Sequence, residues 1–90
     1  LYIKPKGILS LQKHFYRSEH WLITKGKPKI TLNKSKFFKK VNENVYIPSK
    51  AIHRIENPGK KSVTIMEAQI GFNLKESDIV RYDDLYGRHI

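Results

Sequence analysis

The feature that most restricts the fold of this chain is a series of short segments rich in β-branched and aromatic residues. Helical periodicity is hard to find, and the stretches "GKP", "NKS", "PSK" and "NPGKK" between the segments suit chain reversals. The pattern therefore predicts an all-β sandwich or small barrel. We place its seven strands at Ile8–His14, Glu19–Thr24, Lys29–Leu32, Phe37–Val41, Asn44–Ile47, Ala51–Glu56 and Val63–Gln69.

The C-terminal stretch "LKESDIVRYDDLYGRH" breaks this pattern. Ser77 is a candidate cap for a short helical turn, and we expect the tail to be irregular and to fold back over the barrel. A length of 90 residues suits a single domain, residues 1–90. Because the opening "LYIKPKG" resembles the end of a strand entering a turn, we expect the chain to be a fragment of a longer polypeptide.

The absence of cysteine excludes disulfides and thiolate metal sites, so any metal must bind nitrogen and oxygen ligands. Runs such as "WLI" and "VYI" are far shorter than the ~20 apolar residues that cross a bilayer. The first residues also lack the pattern of a secretory signal. We therefore expect a cytoplasmic protein with no membrane association.

The net charge of +10 makes an anionic partner plausible. The lysines concentrate in "KGKPK" and "NKSKFFKK", which we interpret first as a solvated basic surface. The alternative is a nucleic-acid-binding barrel in which Phe37 and Phe38 stack on bases. Adjacent strand residues point to opposite faces, so at least one of these two rings is expected in the core.

Several potential metal ligands lie close together in "LSLQKHFYRSEHW". Gln12 and His14 share a strand face, and Glu19 re-enters the sheet after a short turn. His53 is a fourth donor from a distant strand, and such a set suits a divalent metal with one open coordination position. The structural alternative is a hydrogen-bonded histidine and a Glu19 paired with Arg17 or a lysine, and spacing alone favours it.

The spacing also resembles the first cupin motif, G(x)5HxH(x)3–4E(x)6G. Gln12 stands in place of the first histidine, and His14, Glu19 and Gly26 match the rest. Gly7 is one residue closer than the motif expects.

The second cupin motif, G(x)5PxG(x)2H(x)3N, is matched by Pro48, His53 and Asn57. Asn44 and Lys50 stand near the positions where this motif has glycines. The implied fold is a cupin, which is a double-stranded β-helix or jelly-roll-like barrel, here with a short irregular C-terminal tail.

Three segments together, "LSLQKHFYRSEHW", "VYIPSKAIHRIENPGKKSV" and "DIVRYDDLYGR", resemble the C-terminal domain of type II mannose-6-phosphate isomerases. Many of these proteins are bifunctional with mannose-1-phosphate guanylyltransferase. The resemblance extends from Ile3 to Arg88 and implies metal ligation by Gln12, His14, Glu19 and His53. The implied metal is zinc, with cobalt, manganese, nickel and magnesium as alternatives.

The resemblance also suggests roles for four further residues. Tyr16 stands where the family commonly has histidine, and we expect its phenol to contact substrate. Arg81 and Arg88 are candidates for the substrate phosphate, and Arg81 is favoured because the family motif centres on it. Arg88 is equally suited to pairing with Asp83 or Asp84. Glu67 is a candidate proton carrier, although an ion pair is the commoner role for a strand carboxylate.

The implied reaction is the reversible conversion of mannose 6-phosphate to fructose 6-phosphate through a cis-enediol, which supplies GDP-mannose and surface polysaccharide synthesis. The chain lacks the Gly-rich nucleotide loop of the guanylyltransferase. We expect a homodimer formed by strand exchange or edge pairing, a sugar-phosphate substrate, and no nucleic-acid partner. The alternative is a non-catalytic cupin that binds a sugar phosphate or nucleotide sugar.

Overall fold

The computed structural model describes residues 1–82, and nine β-strands form its regular structure. No helix occurs in these described residues, and the predicted all-β class is confirmed. The strands are β1 (Tyr2–Ile3), β2 (Gln12–Lys13), β3 (Arg17–Lys25), β4 (Lys29–Leu32), β5 (Ser35–Phe38), β6 (Asn44–Ile47), β7 (His53–Glu56), β8 (Val63–Gly71) and β9 (Val80–Arg81).

The strands form two antiparallel sheets. The first sheet has the order β1-β8-β3-β6 and the second has the order β5-β4-β7-β2-β9. Apart from the β4–β5 hairpin, successive strands alternate between the two sheets. The chain therefore winds as a double strand around one interior.

The interior is produced by period-two burial along the long strands. On β3, Glu19, Trp21 and Ile23 are buried, whereas His20 and Leu22 between them are exposed. The same alternation on β7 and β8 directs Ile55 and Ile65 inward. Because side chains on a strand alternate between faces, this pattern determines which polar residues can enter the barrel.

The predicted strand bounds are correct at β4 and β6, and the strands near β3, β7 and β8 differ only at their ends. The strand predicted at Phe37–Val41 is displaced, since it overlaps β5 only at Phe37 and Phe38. Three differences involve short edges. The predicted strand Ile8–His14 contains only β2, since Ile8 makes a single bridge to Glu56. The two-residue strands β1 and β9 were not predicted, because two residues carry no periodicity.

The prediction of a helical turn capped by Ser77 is wrong. Ser77 lies in a turn that is closed by the Asp78 amide donating to the Lys75 carbonyl at 3.1 Å. The tail is irregular from Phe72 until β9 and then joins the second sheet beside β2. This pairing brings Arg81 opposite Gln12.

Three non-glycine residues adopt a left-handed backbone at positions where the cupin motifs have glycine. Lys6, Asn42 and Lys50 have φ values of 65°, 74° and 69°. Each left-handed non-glycine residue costs about 1–3 kcal/mol. The assignment of a glycine position to Asn44 is wrong, since Asn44 begins β6 and Asn42 makes the turn.

Asn57, the asparagine of the second cupin motif, organises the turn after β7. Its buried Nδ2 lies 2.8 Å from the Lys61 carbonyl oxygen, 3.1 Å from that of Ile3 and 3.2 Å from that of Lys4. Its Oδ1 accepts the Gly59 amide at 3.1 Å. One buried amide therefore connects the β7–β8 turn to the N-terminal strand.

The two adjacent phenylalanines of the basic segment point to opposite faces, as expected. Phe37 is half-buried and packs against the core, whereas Phe38 is 52% exposed. The Lys27 ammonium lies 5.8 Å from the Phe38 ring centroid.

Candidate metal centre

Three of the four predicted metal ligands converge in the barrel. His14 follows β2, Glu19 lies on β3 and His53 begins β7, and all three are buried. One potential ligand atom from each lies within 4.8 Å of the others. Two imidazoles and a carboxylate at this separation form a group that can hold a divalent metal ion.

Backbone carbonyls orient both histidines of this group. The Nδ1 of His14 lies 2.6 Å from the Asp78 carbonyl oxygen, and the Nδ1 of His53 lies 3.0 Å from that of Ala51. Because a carbonyl only accepts, each Nδ1 of a neutral ring carries the proton and each Nε2 presents a lone pair. This arrangement is typical of metal-binding histidines.

His53 is neutral at physiological pH. Burial lowers the pKa of His53 to about 4, although the Ala51 carbonyl acts in the opposite direction. A metal therefore does not compete with a proton for this imidazole near pH 7.

The Glu19 carboxylate is bound on both oxygens. Trp21 Nε1 donates to Oε1 at 3.0 Å, and Arg17 Nε donates to Oε2 at 3.1 Å. The same Oε2 lies 3.3 Å from His14 Nε2. Two acceptor atoms this close need a cation or donor beside them, and the Arg17 guanidinium occupies that place, with its terminal nitrogen 3.2 Å from His14 Nε2.

Gln12, the fourth predicted ligand, is half-buried on β2. In the second sheet it pairs with His53 of β7 on one side and with Arg81 of β9 on the other. Its Nε2 makes a long 3.4 Å hydrogen bond to the Ser10 carbonyl. The amide therefore lies between the histidine strand and the C-terminal strand, on the wall of the same cavity.

The donor group opens into a cavity of about 550 Å³ between the two sheets. This volume lies in the range of small-molecule sites. The predicted ligands, Glu67 and Arg81 all line it. Arg17, Trp21 and Gln69 complete much of its polar wall.

Arg81 contributes an unsatisfied donor to this cavity. Its Nε is buried without a hydrogen-bond partner among the described residues. A buried guanidinium nitrogen without a partner is costly, and an anionic ligand would satisfy it.

Glu67 lies beside the donor group on β8, opposite Trp21 in the sheet register. Gln69 Nε2 donates to its Oε1 at 2.8 Å. Burial raises the pKa of Glu67, and the nearby Glu19 carboxylate raises it further, whereas the Gln69 bond opposes both. A carboxyl with a raised pKa beside a donor group in a cavity is a candidate for proton transfer.

The predicted substrate contact Tyr16 does not join this group. Tyr16 is 60% exposed and does not line the cavity. Arg88 lies outside the described residues. His20 and Arg54 each follow a proposed ligand and point away from this group: His20 is exposed, and the Arg54 Nε donates to the Leu9 carbonyl at 3.1 Å.

Sequence reasoning missed the roles of Arg17 and Asp78. Arg17 shares the inward face of β3 with Glu19, which the period of two could have indicated. Asp78 Oδ1 and Oδ2 accept the Phe15 and Tyr16 amides at 2.9 and 3.0 Å. Burial alone would raise the pKa of Asp78, but these amide bonds lower it, and no local pattern predicts this contact across the barrel.

Comparisons with known proteins agree with this geometry. A family model described as "Mannose-6-phosphate isomerase C-terminal" matches residues 1–84. The alginate biosynthesis protein AlgA of Pseudomonas fluorescens is 43% identical over 86 residues, which are 96% of this chain and 18% of that protein. A mannose-1-phosphate guanylyltransferase of Sinorhizobium fredii is 44% identical over 84 residues, which are 93% of this chain and 16% of that protein.

A solved structure is similar at the level of the fold. The Cnp3 cupin domain of Schizosaccharomyces pombe superposes with a TM-score of 0.72 at 19% identity, covering 79% of this chain and 52% of that one. The predicted cupin fold is confirmed. The chain spans less than a fifth of the length of the two relatives. Residues 1–82 contain no helix with the length and hydrophobicity that a bilayer crossing requires.

Proposed function

Because this chain belongs to the mannose-6-phosphate isomerase C-terminal family, we propose that it catalyses the metal-dependent interconversion of mannose 6-phosphate and fructose 6-phosphate. The observation that carries this proposal is one cavity lined by a His-Glu-His donor group, by the Glu67 carboxyl with its raised pKa and by Arg81, whose Nε has no partner among the described residues. An aldose–ketose isomerase needs these three elements for charge stabilisation, proton transfer and phosphate binding.

His14, Glu19 and His53 would hold the metal, with Gln12 as the fourth ligand. The fixed Nε2 lone pairs and the neutral state of His53 support this assignment. We propose zinc as the ion, with cobalt, manganese, nickel and magnesium also compatible with nitrogen and oxygen donors. When bound, the ion supplies positive charge that stabilises the sugar oxygens during proton transfer.

Glu67 is the proposed proton carrier. It takes the proton from C2 of the open-chain aldose and returns it to C1, while a proton moves from the oxygen on C2 to the oxygen on C1. Its position on the cavity wall and its raised pKa support this role. Trp21 and Gln69 hold Glu19 and Glu67 in place through the bonds described above.

Arg81 is the proposed phosphate ligand. Its guanidinium lines the cavity and its buried Nε has no partner among the described residues. A phosphate offers the bidentate acceptor geometry that arginine matches. Tyr16 and Arg88 remain proposed substrate contacts.

The cellular role follows from the relatives. We propose that the chain acts in the cytoplasm as the isomerase part of a longer bifunctional protein that serves GDP-mannose and polysaccharide synthesis, since the relatives are named for alginate biosynthesis and mannose-1-phosphate guanylyltransfer. The alternative is a non-catalytic module that binds a sugar phosphate or nucleotide sugar. Exchange of the C2 proton distinguishes the two proposals.

A Glu67→Gln variant tests the proposed proton carrier. Exchange of the mannose 6-phosphate C2 proton with deuterated solvent, followed by NMR, should fall by about 10²–10⁴-fold, with little change in KM. Glu56→Gln is the matched control, because Glu56 is a strand carboxylate on the outward face of β7.

Two outcomes would contradict these assignments. Exchange by Glu67→Gln within twofold of the unmodified chain would exclude Glu67 as the carrier. Binding of sugar phosphate by the metal-loaded unmodified chain with no C2 exchange would favour the non-catalytic alternative.

A further inference from the structure

The guanidinium of Arg17 is enclosed within the proposed metal-binding group. Arg17 is buried, with 9% of its surface exposed. Within residues 1–82, its side chain contacts three atoms, which are Glu19 Oε2 at 3.1 Å, His14 Nε2 at 3.2 Å and the Lys75 carbonyl oxygen at 3.3 Å. Two of these three partners are atoms that a metal ion would also use.

Arginine cannot share these atoms with a metal ion. The guanidinium has only donors and stays charged at every physiological pH, so it can neither coordinate the ion nor lose its repulsion towards it. The lone pair of His14 Nε2 can bind either the Arg17 nitrogen or an ion. Binding of an ion therefore requires Arg17 to release His14.

We propose that Arg17 controls the metal affinity of this site by competing for His14 and Glu19. Without an ion, the guanidinium keeps the two acceptor atoms together. With an ion bound, the released guanidinium turns into the cavity and becomes an additional contact for an anion. This inference rests on the proposed metal site and adds its regulation.

Coupling between anion and metal follows from this exchange. An anion that holds the released guanidinium favours the state in which His14 is free, so it raises the metal affinity of the site. Bound metal must raise the anion affinity by the same factor. The chemical class of the effector is a phosphate monoester or free phosphate, which suits a guanidinium.

Isothermal titration calorimetry with cobalt(II) tests the competition. The Arg17→Met variant should bind the ion about tenfold more tightly than the unmodified chain, since it lacks the competing charge. Inorganic phosphate should tighten metal binding by the unmodified chain and leave the affinity of Arg17→Met unchanged. Arg54→Met is the matched control, because Arg54 also neighbours a ligand but bonds to Leu9.

The outcomes separate this inference from the proposed function. Equal or weaker binding by Arg17→Met, while the unmodified chain binds the ion, would overturn the competition and leave the metal site intact. Binding by neither protein would overturn the metal site itself. If Arg17→Met does not fold by circular dichroism, Arg17→Gln serves instead, since it removes the charge and keeps a donor for Glu19; loss of the phosphate effect in that variant would support the competition, whereas its retention would overturn it.

A second inference comes from the outer face of the first sheet. This face carries no charged side chain on its three longest strands. The outward positions concerned are those of β3 from Ser18 to Thr24, of β6 from Asn44 to Tyr46 and of β8 from Thr64 to Ile70. This is unusual in a chain that is 29% charged. Tyr46, Met66 and Ile70 are 52%, 63% and 57% exposed there.

The charge distribution indicates what covers this face. Lys25 ends β3 of this sheet, whereas Lys29, Lys34 and Lys36 lie in the β4–β5 hairpin of the other sheet. Two copies stacked through the uncharged face would keep these lysines apart. The four strands of this sheet hold 24 residues, which at ~3.3 Å per residue and ~4.8 Å between strands cover about 380 Å², roughly half of the ~800 Å² per partner of a standard interface.

We infer that the outer face of the first sheet packs against the same face of a second copy, which forms a two-fold symmetric dimer. This arrangement replaces the strand exchange or edge pairing expected from the sequence. Sedimentation equilibrium should give twice the chain mass of 10.6 kDa. The double variant Leu22→Glu/Met66→Glu, which places carboxylates at directly paired positions, should be monomeric.

Phe38→Glu is the control, because Phe38 is 52% exposed on the other sheet, and it should remain dimeric. A monomeric unmodified chain, or a double variant that stays dimeric, would overturn this interface.

Discussion

The His53→Ala variant is expected to lose stoichiometric metal binding and at least 10²-fold of its isomerase activity. His53 is 3% exposed, and its Nδ1 is held by the Ala51 carbonyl, so no other described side chain can take the place of its Nε2. Without one of the two imidazoles, the remaining donors bind a metal ion too weakly to hold it at a site with an open coordination position. Metal content by inductively coupled plasma mass spectrometry and turnover of mannose 6-phosphate measure both effects.

The control for this experiment is His20→Ala. His20 lies on the exposed face of β3, with its ring 4.8 Å from that of Tyr46, and lines no part of the cavity. It should retain metal and activity. One equivalent of metal in purified His53→Ala would show that the site is elsewhere.

The Arg81→Met variant is expected to raise KM for mannose 6-phosphate by about 10–100-fold, with a smaller effect on kcat. A hydrogen bond to a charged group contributes about 1.5–3 kcal/mol, which corresponds to this range. The buried Nε of Arg81, which has no partner within residues 1–82, supports phosphate binding at this position. Steady-state kinetics and inhibition by inorganic phosphate measure the change.

Arg81→Lys provides the comparison, because lysine keeps the charge without the bidentate geometry, and its KM should be intermediate. Metal content should be unchanged in both variants, which separates phosphate binding from metal binding. An unaltered KM in Arg81→Met would remove Arg81 from the phosphate site.

The fold was predictable where periodicity extends over several residues. The alternation in "SEHWLIT" predicts the strand that contains Glu19 and Trp21, and the same pattern directs both residues inward. The strands Tyr2–Ile3 and Val80–Arg81 were not predictable, because each depends on pairing with a strand distant in sequence. Tertiary contacts define such edges and local propensity does not.

The site was predictable to the extent that strand alternation and motif spacing select residues. His14, Glu19 and His53 meet as the motif spacing indicates. Arg17 was read only as a surface partner of Glu19, since its enclosure depends on the turn through Lys75. Asp78 holds the β2–β3 turn from the C-terminal segment, and a contact between residues this far apart leaves no local signal.

The most direct test is to measure metal content and isomerisation on the same sample of the unmodified chain, before and after chelation. We predict about one equivalent of divalent metal per chain, formation of fructose 6-phosphate from mannose 6-phosphate, and loss of both on chelation with recovery on adding zinc or cobalt. A chain that contains no metal after incubation with zinc, cobalt and manganese, or that isomerises equally well after chelation, would contradict the metal-dependent mechanism.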